Sequence, residues 1–189
     1  NLQHIRQGGK RAADLVQQIL TFSRQSVEER HPVLIAPLVQ ESLKLMRATL
    51  PTTIEISQEL EATELKVVAA PVQIQQIVMN LCANAFSAMK EKGGHLTIRL
   101  CRRSGDAPPQ AMLQVEDTGM GMEDALLQRI FTPFFTTKQP GEGTGMGLSV
   151  VHGIVRELGG EISVQSEPGQ GSVFTVLLPL AEQNGNGGL

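Results

Sequence analysis

The stretch from Val115 to Leu148 limits what this chain can fold into more than any other. It carries V-E-D-T-G-M-G-M, then F-T-P-F-F-T-T-K, then G-E-G-T-G-M-G-L. Asp117 closes an apolar-rich run (Met112, Leu113, Val115), so the pattern predicts a strand that delivers its carboxylate to the floor of a pocket. A carboxylate fixed there can accept a hydrogen bond from an exocyclic amine such as that of adenine. Gly119 and Gly121 let the backbone turn sharply and let a flat ring approach with no Cβ in the way. The second glycine run, at positions 141, 143, 145 and 147, leads into Leu148, Val150, Val151, Ile154, Val155 and Leu158, whose spacing of three and four is helical. Loop amides at the start of such a helix, at the positive end of its dipole, make a phosphate site. The other reading of each piece is an ordinary turn, and for a lone G-x-G that reading is the commoner one.

Composition narrows the setting. At 189 residues the chain is long enough for one domain with a real core and an appendage. With 41% hydrophobic and 19% charged residues it has a globular profile. A net charge of -3 gives no electrostatic case for nucleic acid or for an anionic membrane. Cys82 and Cys101 lack C-x-x-C spacing and read as reduced core residues of a cytoplasmic protein. No apolar run approaches the ~20 residues that span a bilayer, and the first residues carry no signal-peptide pattern, so any membrane anchor is expected outside this chain.

In chain order, Leu2, Ile5, Gly9, Ala12, Val16 and Ile19 form a heptad-like seam over residues 2–25. Gly8 and Gly9 each cost about 1 kcal/mol against alanine inside a helix, so this helix needs a partner; packing on its own domain is the other reading. Its uncapped start reads as a longer helical element that has been cut. Residues 26–32 are a polar linker closed by Pro32. Val33 to Ile35 reads as a short strand, and Leu38, Val39, Leu43, Leu45 and Met46 as a helix that stops at Pro51. Thr53 to Leu60 and Leu65 to Val68 read as strands. Pro71 opens the longest amphipathic helix, with Ile74, Ile77, Val78, Leu81, Ala85 and Met89 as its buried stripe. Asn80 and Asn84 project from one side of it, close to that stripe. His95 to Arg103 and the Asp117 strand form one hairpin, with a mobile loop expected between them. Glu161 to Ser166 and Ser172 to Leu178 form another around P-G-Q-G, and residues 181–189 read as a disordered tail.

Together these motifs resemble the ATP-binding domain of two-component sensor histidine kinases, in the superfamily that also contains DNA gyrase. N-L-C-A-N-A looks like that family's asparagine box. D-T-G-M-G-M, F-T-P-F-F-T-T-K and G-E-G-T-G-M-G-L look like its first glycine, phenylalanine and second glycine boxes, and G-Q-G-S-V-F with L-L-P matches its last motif. Five motifs stand in the family's order over residues 33–180. R-A-A-D-L-V-Q-Q-I-L-T-F-S-R is similar to the second helix of the dimerisation and phosphotransfer hairpin of the nitrogen-regulatory type, which places that helix at residues 1–25.

The resemblance implies an α/β fold: a two-layer sandwich with a mixed sheet under three helices, preceded by one long helix. It implies ATP and Mg²⁺ as ligands. Asp117 would take the adenine amine, with Ser172 completing a water-bridged network at that edge in place of the family's commoner threonine. Asn84 would hold Mg²⁺, which keeps most of its waters, and Asn80 would support the same region. Gly119, Gly121 and Met122 would border the base. Gly143, Thr144, Gly145, Met146, Gly147 and Leu148 would line the triphosphate, and Lys138 would neutralise it. Phe131, Phe134 and Phe135 would anchor a lid. The γ-phosphate would pass to a histidine and then to the receiver domain of a response regulator, with the full-length protein a homodimer.

The acceptor histidine of that family is followed by an acid. Here His4 precedes Ile5, His31 precedes Pro32, His95 precedes Leu96 and His152 precedes Gly153. The acceptor is therefore expected upstream, on a hairpin helix outside this chain, and His152 is expected to face solvent or pack behind the phosphate loop. Ala70-Pro71 stands where relatives commonly show Asp-Pro, which weakens the expected helix start. Three rivals stay open. A gyrase- or chaperone-like ATPase is disfavoured because Asn80 stands where those proteins have a water-orienting glutamate, and asparagine is no base. An anti-sigma-type serine kinase is disfavoured by the hairpin-like helix. A module that binds ATP without turnover is left open by the residues.

Overall fold

The computed structural model describes residues 29–47, 53–105, 108–138 and 144–182. Strand β1 (His31–Leu34) pairs antiparallel with β3 (Lys66–Ala69) in a two-stranded ribbon. A five-stranded mixed sheet is built from β2 (Ile54–Leu60), β4 (Gly94–Arg103), β5 (Gln110–Asp117), β6 (Glu161–Glu167) and β7 (Gly171–Pro179). Its order is β2-β4-β5-β7-β6, and only the β2/β4 pair is parallel. The helices are α1 (Ile35–Arg47), α2 (Pro71–Met89), the single turn α3 (Asp124–Leu127) and α4 (Gly147–Glu157).

Period-two alternation decides which side of the sheet the helices cover. Leu96, Ile98 and Leu100 of β4, Ala111, Leu113 and Val115 of β5, and Phe174, Val176 and Leu178 of β7 are all buried on one face. The α2 stripe of Ile74, Ile77, Val78, Leu81, Ala85 and Met89 and the α4 residues Val151, Ile154 and Val155 complete the same core. The opposite face is polar. Ser57 bonds Thr97 at 3.0 Å, Gln114 bonds Thr175 at 3.0 Å, and the Arg99 guanidinium joins Glu59 to Glu116. Two layers result because only one face of the sheet is apolar.

Local readings shift in a few places. Ile35, expected to end a strand, instead starts α1, and its amide bonds the Leu65 carbonyl at 3.2 Å. Leu45 is 59% exposed rather than part of the α1 stripe. The buried side of that helix is Ile35, Ala36, Val39, Ser42 and Leu43, and two residues beyond Leu43 a helix has turned about 200° away. Residue Ser42 is tolerated inside because its hydroxyl donates to the Leu38 carbonyl at 2.7 Å. The α2 start has no side-chain cap at Ala70, yet Gln73 replaces one: its Oε1 accepts the Ala70 amide at 3.1 Å. Gln73 Nε2 also donates to Glu157 at 3.2 Å, and Arg30 pairs with that same carboxylate. One acid at the end of α4 thus ties the chain's entry into the domain to the foot of α2. Ala181, read as the first tail residue, is held by a 2.8 Å bond to the Lys66 carbonyl. The helix over 2–25, residues 26–28 of the linker, the stop at Pro51 and the tail past residue 182 lie outside the described residues, while His31 and Pro32, read as the end of the linker, already belong to β1.

Candidate functional site

The apolar face of the sheet ends in a polar row. Register places Leu96 of β4 opposite Asp117, Asp117 opposite Ser172 of β7, and Ser172 opposite Ser166 of β6. All point to the helix side, since the next row in is Ile98, Val115, Phe174 and Val164. Asp117 is 3% exposed, and its Oδ1 accepts the Gly119 amide at 2.8 Å. Burial pushes its carboxyl above the ordinary aspartate range, against the backbone hydrogen bonds from Gly119 and Ser172 that favour the ionised form; Glu116 adds a small upward push. The site therefore holds a desolvated carboxylate acceptor at the end of an apolar wall, as the alternation of β5 predicts.

Ser172 is joined to a residue that the sequence reading missed. Ser166 Oγ accepts the Met122 amide at 2.9 Å and donates to the Gly171 carbonyl at 2.7 Å. Its single proton is then committed, so at 3.0 Å the Ser172 hydroxyl is the donor to Ser166. One serine thereby fixes Met122 and orients Ser172 beside Asp117. The signal was available, because Ser166 and Ser172 each stand three residues from Gly169 at the tip of the hairpin. Gly121 has φ 65°, and a Cβ there would lie 1.9 Å from the Glu167 carbonyl oxygen, so only glycine brings this turn against the hairpin.

Across the cleft, α2 faces the first turn of α4. Asn80 donates through Nδ2 to the Gln76 carbonyl at 2.9 Å. Its Oδ1 lies 3.1 Å from where a Gly147 side chain would begin, and Asn84 Nδ2 lies 4.0 Å from the same point. Asn84 Nδ2 is buried and has no hydrogen-bond partner. An orphaned amide costs about 1–3 kcal/mol, and this one sits beside the free amides of a helix N-terminus. Thr144 Oγ1 accepts the Met146 amide at 3.4 Å and Ser149 donates to the Met146 carbonyl at 2.9 Å, which shapes the entry to α4. Thr144, Gly145, Met146, Gly147 and Leu148 are half-buried along this edge, while Gly143 lies outside the described residues.

Between the two glycine segments, Ile130 is buried and Phe131 and Phe135 pack against the core. Arg129 covers the Phe135 ring, its guanidinium carbon 4.5 Å from the ring centre. Phe134 does not anchor by burial, being 70% exposed; its φ of 65° turns the ring outward. Lys138 is half-buried on the same segment, its amide 3.2 Å from Thr136 Oγ1. His152 is half-buried, with its ring 5.4 Å from that of Phe131.

The structure so brings Asp117, Gly119, Gly121, Met122 and Ser172 together at one end of a cleft, and Asn80, Asn84 and Gly147 at the other. A buried acceptor at one end and unpaired amides at a helix N-terminus at the other suit a ligand with an amine-bearing base and an anionic tail. Among the described residues there is no helix long and apolar enough to cross a membrane and no His/Cys/Asp/Glu cluster that could hold a metal.

Comparison with known proteins converges on one group. Residues 69–182 match the family model described as histidine kinase-, DNA gyrase B- and HSP90-like ATPase. Over 95% of its length the chain is 36% identical to the sensor kinase CckA of Brucella abortus (strain 2308), and covers 20% of that protein. Over 89% it is 33% identical to the signal transduction histidine-protein kinase AtoS of Escherichia coli (strain K12), covering 27% of it. The chain therefore spans about a fifth to a quarter of these relatives. A structure of full-length ShkA in complex with AMPPNP superposes with a TM-score of 0.74 over 95% of this chain and 38% of that one, at 28% identity. The catalytic domain of histidine kinase ThkA gives 0.68 over 80% of this chain and 97% of that one, at 29% identity.

Proposed function

This chain belongs to the family of histidine kinase-, DNA gyrase B- and HSP90-like ATPases, and we propose that it works there as the phosphoryl-donating part of a sensor histidine kinase. It is the ATP-binding catalytic part of such a kinase by kinship with CckA and AtoS. In the proposed reaction Asp117 accepts the adenine N6 hydrogen bond, and Ser172, oriented by Ser166, completes that edge through water. The amides of Gly143, Gly145 and Gly147 and the Lys138 ammonium take the phosphates. The γ-phosphoryl group then passes to a histidine nitrogen, a step in which positioning and charge neutralisation supply most of the catalysis.

The observation that carries this reading is the unpartnered Asn84 amide beside the α4 N-terminus. Rotated by 180°, it presents its oxygen in the same place, and a neutral oxygen donor suits Mg²⁺. Mg²⁺, when bound, neutralises charge on the phosphates; Asn84 would hold it, with Asn80 alongside. Hydrolysis as the main task is not supported. The Asn80 amide is spent on Gln76, and no carboxylate stands in its place to orient water.

The same proposal assigns residues 1–25 to the second helix of an acceptor hairpin, 26–32 to a linker, 33–180 to the ATP-binding domain and 181–189 to a tail. The CckA alignment, which runs over 95% of the chain, supports the first of these. The partners would be a hairpin bearing the acceptor histidine, a response-regulator receiver domain and a second copy in the full-length homodimer, all in the cytoplasm where ATP is available. The test is to add labelled ATP and Mg²⁺ to this chain together with an acceptor hairpin. Acid-labile label on the hairpin histidine is expected; free phosphate alone would favour the ATPase, and neither product a binding module.

A further inference from the structure

We propose that His152 is a positioning residue for the nucleotide lid, acting through Phe131 to set how long ATP stays bound. This rests on the functional reading above and goes beyond it, since His152 belongs to none of the motifs that define the pocket. The residue lies on α4, next to Val151 in the core and five residues after Gly147, where the helix meets the cleft. Its ring stands 5.4 Å from that of Phe131 with 31° between the planes, a tilted aromatic contact. Phe131 opens the segment that carries Phe134, Phe135 and Lys138.

A second seam runs parallel to the first. Gly145 has φ 67°, and a Cβ there would lie 2.5 Å from the Phe134 carbonyl carbon, so the phosphate loop rests directly on the lid backbone. The lid is thus clasped twice to one helix and the loop before it. The Gly145 seam is a steric contact between backbones; the His152 seam is a contact between rings. A contact of this kind contributes to lid docking without touching the nucleotide. Its loss therefore shortens residence while leaving the base pocket intact.

The tests read lid and ligand separately. Trypsin has sites at Arg129 and Lys138, flanking the docked segment. With His152→Ala, cleavage there should accelerate several-fold, and stopped-flow release of a fluorescent ATP analogue should quicken by roughly 3- to 10-fold, the size of one aromatic pair. The association rate and the thermal midpoint should stay near wild type. His152→Phe should restore both readouts, and His152→Ala combined with Phe131→Ala should be no worse than Phe131→Ala alone. Unchanged release in His152→Ala, failure of His152→Phe to rescue, or additive effects in the double variant each overturn the proposal while leaving ATP binding standing. A wild-type chain that binds no ATP analogue overturns the functional reading as well.

Discussion

Replacing Asp117 by asparagine exchanges one oxygen for an NH₂ group at a site that is 3% exposed, which makes it a clean probe of the cleft. Oδ1 of the new residue can keep the 2.8 Å bond from the Gly119 amide, so the local turn survives. What then faces the adenine amine is a donor. The loss comprises a hydrogen bond to a charged acceptor, about 1.5–3 kcal/mol, and a buried donor left unpaired, a further 1–3 kcal/mol or so. Together these predict an ATP affinity reduced by roughly 10²- to 10⁴-fold. The fold should not suffer, because the wild-type carboxyl is held above its ordinary range chiefly by burial. A group whose folded pKa is raised favours the folded state fully below the unfolded value of about 3.8 and loses that contribution as pH rises through the folded value. Burial thus penalises the ionised carboxylate relative to the unfolded chain, and a neutral amide removes that cost. Calorimetric titration with ATP alongside thermal unfolding at pH 7 reads both quantities. Unchanged affinity in a folded variant would refute the pocket assignment. Wild-type affinity should also begin to fall, on acidification, at a higher pH than an ordinary aspartate would give, and Asp117→Asn should lack that limb.

Two further outcomes follow from close contacts. Gly145→Ala places a methyl group at positive φ against the Phe134 backbone. Strain of about 1–2 kcal/mol must be relieved by shifting the phosphate loop, so ATP should weaken by roughly tenfold or more while adenosine, which does not use the loop, is unchanged; equal losses by titration would contradict this. Cys82 is fully buried with its thiol pushed up to about 12, so a maleimide should label it only on unfolding, whereas the half-buried Cys101 should react first. Mass spectrometry of partly labelled native protein distinguishes the two sites.

The sequence by itself settled whatever is written in local periodicity. The six-residue stripe of α2 is buried throughout, and the strand phases put Asp117 and Ser172 on the helix side of the sheet. Motif order alone assembled most of the cleft, since each motif sits at the end of an element whose direction its own pattern predicts. Only the tertiary structure decided the rest. Ser166 becomes an orienting residue because hairpin pairing sets it opposite Ser172, and His152 acquires a partner because α4 passes beside the lid. Phe134 turns outward although its two neighbouring phenylalanines pack inward, because one left-handed backbone angle reverses it. Gln73 caps a helix that lacks the expected acid and is steadied by a carboxylate 84 residues away. Each of these depends on where two distant segments meet. That is fixed by the joint packing of the sheet and helices, and no single stretch of sequence carries it.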